Sequence, residues 1–197
     1  MDELNRTDAE LIGESFDRPD VFGSIFSRHF NPIFGFASRR IGREMAGEVA
    51  SEVFTRAFRL RRSYDLSRPD CLPWLYGIAT NVVGDLLRRK RRSPRIHLAV
   101  EVSEEDWSAV DDRLVADSVG AMINRTLDGL SVDDRETFLL FALEGLSYGE
   151  ISEALDIPTG TVGSRIGRAR RIIREQIPDL ERITDRMVNQ PGTEGSA

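Results

Sequence analysis

The chain reads as an all-α protein: two small helical domains joined by an acidic linker, the second a helix-turn-helix. Three observations predict this. Apolar residues recur at helical spacing through two blocks, Val21 to Arg92 and Val119 to Ile177. Alternating Val/Ile/Thr runs closed by Asn-Gly or Asp-Gly turns, the mark of strands and hairpins, are nearly missing. Between the blocks IHLAVEVSEEDWSAVDD follows Pro94 and is acidic and weakly periodic. The chain therefore divides into an N-terminal tail (1–19), a first domain (20–95), a linker (96–118), a second domain (119–178) and a polar C-terminal tail (179–197) expected to be disordered.

In the first domain, Glu44 to Arg62 is an amphipathic helix. Ala46, Val49, Ala50, Val53, Ala57 and Leu60 form its apolar side, and Glu48, Glu52, Thr55 and Arg59 line the other. By itself that polar line is the ordinary solvated face of a helix. The next helix runs from Pro73 to about Arg91, with Leu75, Ile78, Ala79, Val82 and Leu86 inward. Trp74, Asn81, Asp85 and Arg88 form an adjacent strip. A Trp, an amide and an Arg on one strip suit stacking on and hydrogen bonding to unpaired bases, while Trp74 also suits a core anchor at the helix start. Asp85 is unfavourable beside phosphates but is spaced to orient Arg88 and Arg89. Trp107 in the linker fits a solvated aromatic or a small docking anchor equally well.

The second domain carries the strongest local signal, LSYGEISEALDIPTGTVGSRIGRARR from Leu146 to Arg171. Ser147 and Glu150 form an S-x-x-E capping box that opens a short helix with Ile151, Ala154 and Leu155 inside. Asp156 tolerates a left-handed turn, and Pro158 prevents the first helix from continuing. A second helix starts near Thr159, with Val162, Ile166, Ala169 and Ile173 on one face and Thr161, Ser164, Arg165 and Arg168 on another. Hydroxyls and guanidiniums opposite a core face suit a helix laid in a major groove, or a surface helix with a solvated basic stripe.

Charge first argues against DNA, since 27 Lys plus Arg face 33 Asp plus Glu, a net charge of −6. The distribution answers part of this. Arg88, Arg89, Lys90, Arg91, Arg92 and Arg95 make one basic block; Arg165, Arg168, Arg170, Arg171 and Arg174 make another. Glu101, Glu104, Glu105, Asp106, Asp111, Asp112 and Asp117 lie between them. Local field decides where a polyanion docks, and the overall acidity predicts weak DNA binding without a partner. A hydrophobic content of 40% over 197 residues suffices for one ordinary domain or two small ones. Cys71 is the single cysteine, so no intrachain disulfide can form. The start MDELNRTDAE is unlike a signal peptide and no run approaches the roughly 18 apolar residues of a span, so a cytoplasmic protein without membrane insertion is expected.

Three segments resemble the sigma-70 family, in its small two-domain extracytoplasmic-function (ECF) group. CLPWLYGIATNVVGDLLRRKRR is similar to the F-x-x-W-L-x-x-I-A-x-N-x-x-x-D-x-x-R pattern of sigma region two. AGEVASEVFTRAF resembles the preceding clamp-binding helix, and the Leu146 to Arg171 segment resembles region four. The resemblance covers about 20–95 and 120–176, and its specificity lies in the order of the three segments. It implies a protein without catalytic chemistry or cofactor that binds core RNA polymerase and promoter DNA, helps to melt the −10 element, and can be held by an anti-sigma factor. By position, it puts Glu48, Glu52, Thr55 and Arg59 at the polymerase clamp. Trp74, Asn81, Asp85, Arg88 and Arg89 fall in the −10 recognition and melting segment, and Tyr64 to Asp70 where an extruded non-template base is captured. Thr161, Ser164, Arg165, Arg168 and Arg171 fall on the −35 recognition helix. The departures are Ser51 where Gln is frequent, Cys71 where an aromatic is frequent, and Gly163 and Gly167 where polar side chains are common. Each mid-helix Gly costs about 1 kcal/mol relative to Ala and removes a potential DNA contact.

The rival from another class is a stand-alone helix-turn-helix regulator, which leaves the Trp74–Arg88 strip and the clamp-like helix without a role. A sigma-like platform serving mainly to bind an anti-sigma protein is a third possibility. An enzyme is disfavoured. His29 and His97 are isolated, and C-x-x-C, H-E-x-x-H and Gly-rich phosphate loops are missing, so no metal site is expected.

Overall fold

The computed structural model describes residues 6–92 and 125–176. The linker 96–118, Trp107, Arg95 and the C-terminal tail lie outside the described residues. Among the described residues every regular element is helical. In chain order these are α1 (Asp8–Glu14), α2 (Phe22–Ile41), α3 (Arg43–Leu60) and α4 (Leu72–Arg92). A helical turn at 125–128 precedes α5 (Val132–Ala142), α6 (Tyr148–Leu155) and α7 (Thr159–Gln176).

The segment 1–19, expected to be a tail, is folded in part. It contains α1, opened by a capping box in which Thr7 Oγ1 accepts from the Glu10 amide and Glu10 accepts from the Thr7 amide. Leu11 and Ile12 on α1 are fully buried. They enter a core built from Ile25, Ile33 and Phe36 of α2, Val53 and Phe54 of α3, and Leu75, Ala79 and Val83 of α4. Gly42 separates α2 from α3 at φ 83°, a left-handed conformation that most side chains resist. On α3 the expected inward residues Ala46, Val49, Ala50, Val53 and Ala57 are buried. Leu60 is the exception at 48% exposed, because α3 gives way to a 3-10 turn, Arg61–Ser63, just after it.

The second domain is a tri-helical unit in which α5 and α6 pack on α7. Val162 and Ile166 on α7 are fully buried, as are Leu140 of α5 and Ile151 of α6. Ser147 and Glu150 form the expected reciprocal cap, and Asp156 sits left-handed at φ 52° in the turn. A smaller cluster of Leu127, Leu130, Leu139 and Ala169 closes the far end.

The two domains pack against each other. Leu140, Leu146, Ile151, Val162 and Ile166 belong to the same apolar cluster as the first domain's core. The seam lies where α6 crosses α4 at Gly77: a Cβ there would stand 2.4 Å from the Ala154 carbonyl oxygen. Only a glycine permits that approach of two helix backbones.

Candidate nucleic-acid interface

Three helices and one loop present the residues singled out from the sequence. On α3, Glu48, Thr55 and Arg59 are exposed. Glu52 is half-buried because it accepts from Arg56 Nε at 2.7 Å, and Arg56 reaches on to Asp85 of α4 at 3.4 Å. Beside this face, Phe22, Phe26, Phe54 and Phe58 line an apolar groove of about 440 Å³ that Ser51 and Thr55 also border. Phe26 is 41% exposed and packs edge-on against Phe54, with ring centroids 4.9 Å apart. None of these phenylalanines stood out in the sequence. Their signal was the aromatic repeat along α2, in which Phe26, Phe30 and Phe34 touch in succession.

On α4, Asn81, Arg88 and Arg89 are exposed. Asp85 accepts from Arg88 at 2.6 Å, as the spacing suggested, and its carboxyl is held below the usual range by Arg88 first and Arg56 second. Trp74, expected either to anchor the core or to face unpaired bases, is not fully buried. It is half-buried, its ring centroid 5.1 Å from that of Tyr64, and it lines an open cavity of about 570 Å³. Gly77, three residues after Trp74 and four before Asn81, belongs to the same strip and was overlooked.

The loop 64–70 is wound around Tyr64, which is 6% exposed. Its hydroxyl lies 2.8 Å from the Arg68 carbonyl oxygen and 3.0 Å from that of Asp70, and burial pushes its pKa up. Tyr64 is therefore the loop's anchor, and its exposed rim is made by Asp65, Leu66, Ser67 and Asp70. The loop's far end is stapled by α1. The Asp8 amide donates to the Pro69 carbonyl, and the Asp8 carboxylate accepts from the Cys71 amide, His29 Nε2 (2.7 Å) and Arg28 (3.0 Å). Burial opposes ionisation of Asp8, yet the bonds from His29 and the Cys71 amide, with the charge on His29, hold it well below the ordinary carboxylate range. Burial pushes the Cys71 thiol up, which keeps it protonated and unreactive. Donor atoms of Asp8, His29 and Cys71 lie within 4.8 Å of one another. Arg28 on the same carboxylate puts a positive charge where a cation would sit, so the cluster is a staple.

On α7, Arg171 and Ser164 are exposed and Thr161 is half-buried. The two central arginines are already engaged within the domain. Arg165 donates to Asp133 at 2.6 Å, and Arg168 makes a two-point contact with Asp134 at 2.7 and 3.2 Å. Arg168 first of all holds the Asp134 carboxyl below its usual value. A Cβ at Gly163 would meet the Tyr148 ring at ordinary contact distance, whereas Gly167 faces open space.

Helical domains ending in a capped helix-turn-helix with an arginine-rich second helix define a DNA-binding protein. Comparison with known proteins narrows this. Residues 25–93 match the family model described as Sigma-70 region 2, and residues 121–173 match Sigma-70, region 4. The ECF RNA polymerase sigma-E factor of Haemophilus influenzae is 31% identical, over 81% of this chain and 89% of that protein. The ECF RNA polymerase sigma factor SigW of Bacillus subtilis is 34% identical over 82% and 91%. Among solved structures, CnrH in complex with the cytosolic domain of CnrY matches at TM-score 0.61 and 24% identity, over 88% of this chain and 98% of that one. RpoE in complex with the anti-sigma factor NepR from Bartonella quintana matches at TM-score 0.60 and 19% identity, over 80% and 96%. Both show the same fold.

The chain belongs to the sigma-70 family, in its ECF group. It is a sigma factor that binds core RNA polymerase and directs initiation at specific promoters. No helix among the described residues is long and apolar enough to cross a membrane.

Proposed function

We propose a division of this work among three faces. The α3 line of Glu48, Glu52, Thr55 and Arg59, with the phenylalanine groove beside it, docks on core polymerase. Charges on a rim around an aromatic patch give orientation and an apolar anchor together. The α4 strip of Trp74, Asn81, Asp85, Arg88 and Arg89, with the loop 64–70, engages the −10 element as it opens. The α7 residues Thr161, Ser164, Arg165, Arg168 and Arg171 read the −35 element as duplex. The protein acts by binding alone, without catalysis of its own, in the cytoplasm, and an anti-sigma factor is a further partner. Two solved proteins of this fold were captured with CnrY and with NepR, which supports that last expectation.

The observation that carries this reading is the exposure of Asn81, Arg88 and Arg89 on a helix whose start adjoins the stapled loop. Guanidiniums there can hold phosphates while an amide and an indole meet unpaired bases. Run-off transcription with purified core polymerase on genomic fragments tests it. The expected result is a discrete promoter-specific transcript, reduced by Asn81→Ala in α4 and by Arg168→Ala in α7. Specific duplex binding by a dimer without polymerase, and no transcript with it, would move the protein to the stand-alone regulators.

A further inference from the structure

We propose that α1 is a template for the loop 64–70, which makes Asp8 and Gly13 positioning residues for base selection at the −10 element although neither touches DNA. The proposal rests on the reading that this loop engages the −10 element. A loop outside any helix must hold one shape before a base arrives, since the entropy of ordering it would otherwise weaken every contact it makes. α1 and the turn after it meet the loop at three places. Before its start, Arg61 Nε donates to the Ser15 carbonyl at 3.4 Å and Arg62 to the Phe16 carbonyl at 3.2 Å. At its crest Leu66 lies over Gly13, where a Cβ would stand 3.5 and 3.8 Å from the two Leu66 methyl carbons. At its end, the Asp8 amide donates to the Pro69 carbonyl at 2.9 Å, and the Asp8 carboxylate accepts from the Cys71 amide at 3.1 Å.

These supports grip the loop from beneath and leave its outer rim free. Within the rim, Asp65 accepts from the Ser67 amide at 3.0 Å, the Ser67 hydroxyl at 2.7 Å and Arg68 Nε at 3.1 Å, which closes the crest on itself. Asp65, Leu66, Ser67 and Asp70 stay exposed. The template is itself tied into the first domain. Leu11 and Ile12 of α1 are fully buried, and Arg28 and His29 of α2 bind the same Asp8 carboxylate that holds the Cys71 amide. Selective contact with a base needs the contacting groups held within about 0.5 Å of their working positions. A change in how α1 seats the loop therefore moves the rim relative to Trp74 and alters which base is preferred, with the α3 and α7 faces left as they were.

The test is made with holoenzyme, on a promoter that the wild type uses and whose −10 element is randomised. Transcripts are sequenced to give the base preference at each −10 position, and each variant is checked for helix content by circular dichroism and for affinity for core. Asp8→Ala removes the carboxylate, and Gly13→Leu pushes Leu66 off its seat. Both should keep their affinity for core and lower the preference for the favoured base at one −10 position by at least about fivefold, the effect of roughly one lost hydrogen bond. Gly13→Ala, whose methyl group fits at ordinary contact distance, should keep the wild-type preference. The double variant Leu66→Ala/Ser67→Ala, which alters the rim itself, should change the same position. A merely structural role would lower transcription from every −10 sequence alike. That outcome, or an unchanged preference in either folded α1 variant, overturns the template. Should Asp8→Ala lose helix content, Gly13→Leu decides alone. If the rim variant also leaves every preference unchanged, the assignment of the loop to the −10 element fails as well; if it shifts one, the template alone is overturned.

Discussion

Asp8 accepts at once from Arg28, His29 and the Cys71 amide, so one ionised carboxylate ties α1, α2 and the loop–α4 junction together. Its folded pKa lies below the ordinary 3.8, so its contribution to stability is complete above that value and fades as the pH falls through it toward the lowered one. Asp8→Asn should cost on the order of 1–3 kcal/mol at neutral pH, because a buried acceptor set is broken. The difference from wild type should shrink as the pH falls below about 4, where Asp8 of the unfolded chain takes up a proton while the folded carboxylate still resists it. Urea midpoints for both proteins at neutral and acid pH check this. A constant difference across the range would mean that the loss is one of packing and not of charge. This staple was out of reach of the sequence, because Asp8, His29 and Cys71 are far apart in the chain and only the fold brings them together. Tyr64 is a similar case, since a tyrosine in an expected capture loop gives no sign that it faces inward.

The elements themselves were legible where periodicity runs long or a cap is explicit. The inner faces of α3 and α4, apart from Leu60 and the half-buried Leu86 toward their ends, and the Ser147–Glu150 box lie where spacing put them. The helix α1 was missed because it is 7 residues long, too short for a periodic signal, although Thr7 and Glu10 carry the same capping pattern as Ser147 and Glu150. On α7 the arginines were legible and their partners were not. Asp133 and Asp134 occupy the guanidiniums that a −35 helix would offer to DNA. Arg165→Ala should weaken −35 binding by roughly 1–3 kcal/mol if it reads a base edge, whereas Asp133→Asn should strengthen binding by freeing it. Holoenzyme binding to promoter fragments measures both, and equal affinity in both variants would take Arg165 out of the interface. Gly167 faces open space in mid-helix, so Gly167→Ala should stabilise the domain by about 0.5–1 kcal/mol. A fall in the melting midpoint would show that the position cannot accept a side chain.

At the scale of the molecule, the two-domain division read from the sequence holds for the order of helices but not for the core. Leu140, Ile151, Val162 and Ile166 join the apolar cluster of the first domain. A contact made across the linker has no periodic signature, and Gly77 within a helical pattern was its single local sign. Polymerase docking belongs at this scale as well. Glu52→Lys reverses a half-exposed charge and loses the bond to Arg56, and should lower affinity for core several-fold while circular dichroism stays unchanged. Full affinity for core in that variant would place the docking face elsewhere, with the phenylalanine groove the next region to probe.

The most direct measurement is the rate of promoter opening by Asn81→Ala holoenzyme, on duplex and on a template pre-melted across the −10 element. Engaging an unpaired base contributes roughly 1–3 kcal/mol through stacking, comparable to the cost of unstacking a base step, so losing the Asn81 hydrogen bond that holds the base in place is enough to hinder opening. The account predicts normal core binding and closed-complex formation, slowed opening on duplex, and a smaller defect on the pre-melted template. Opening of duplex promoter at the wild-type rate would contradict it, leaving the α4 strip structural and the loop 64–70 as the place to look for melting.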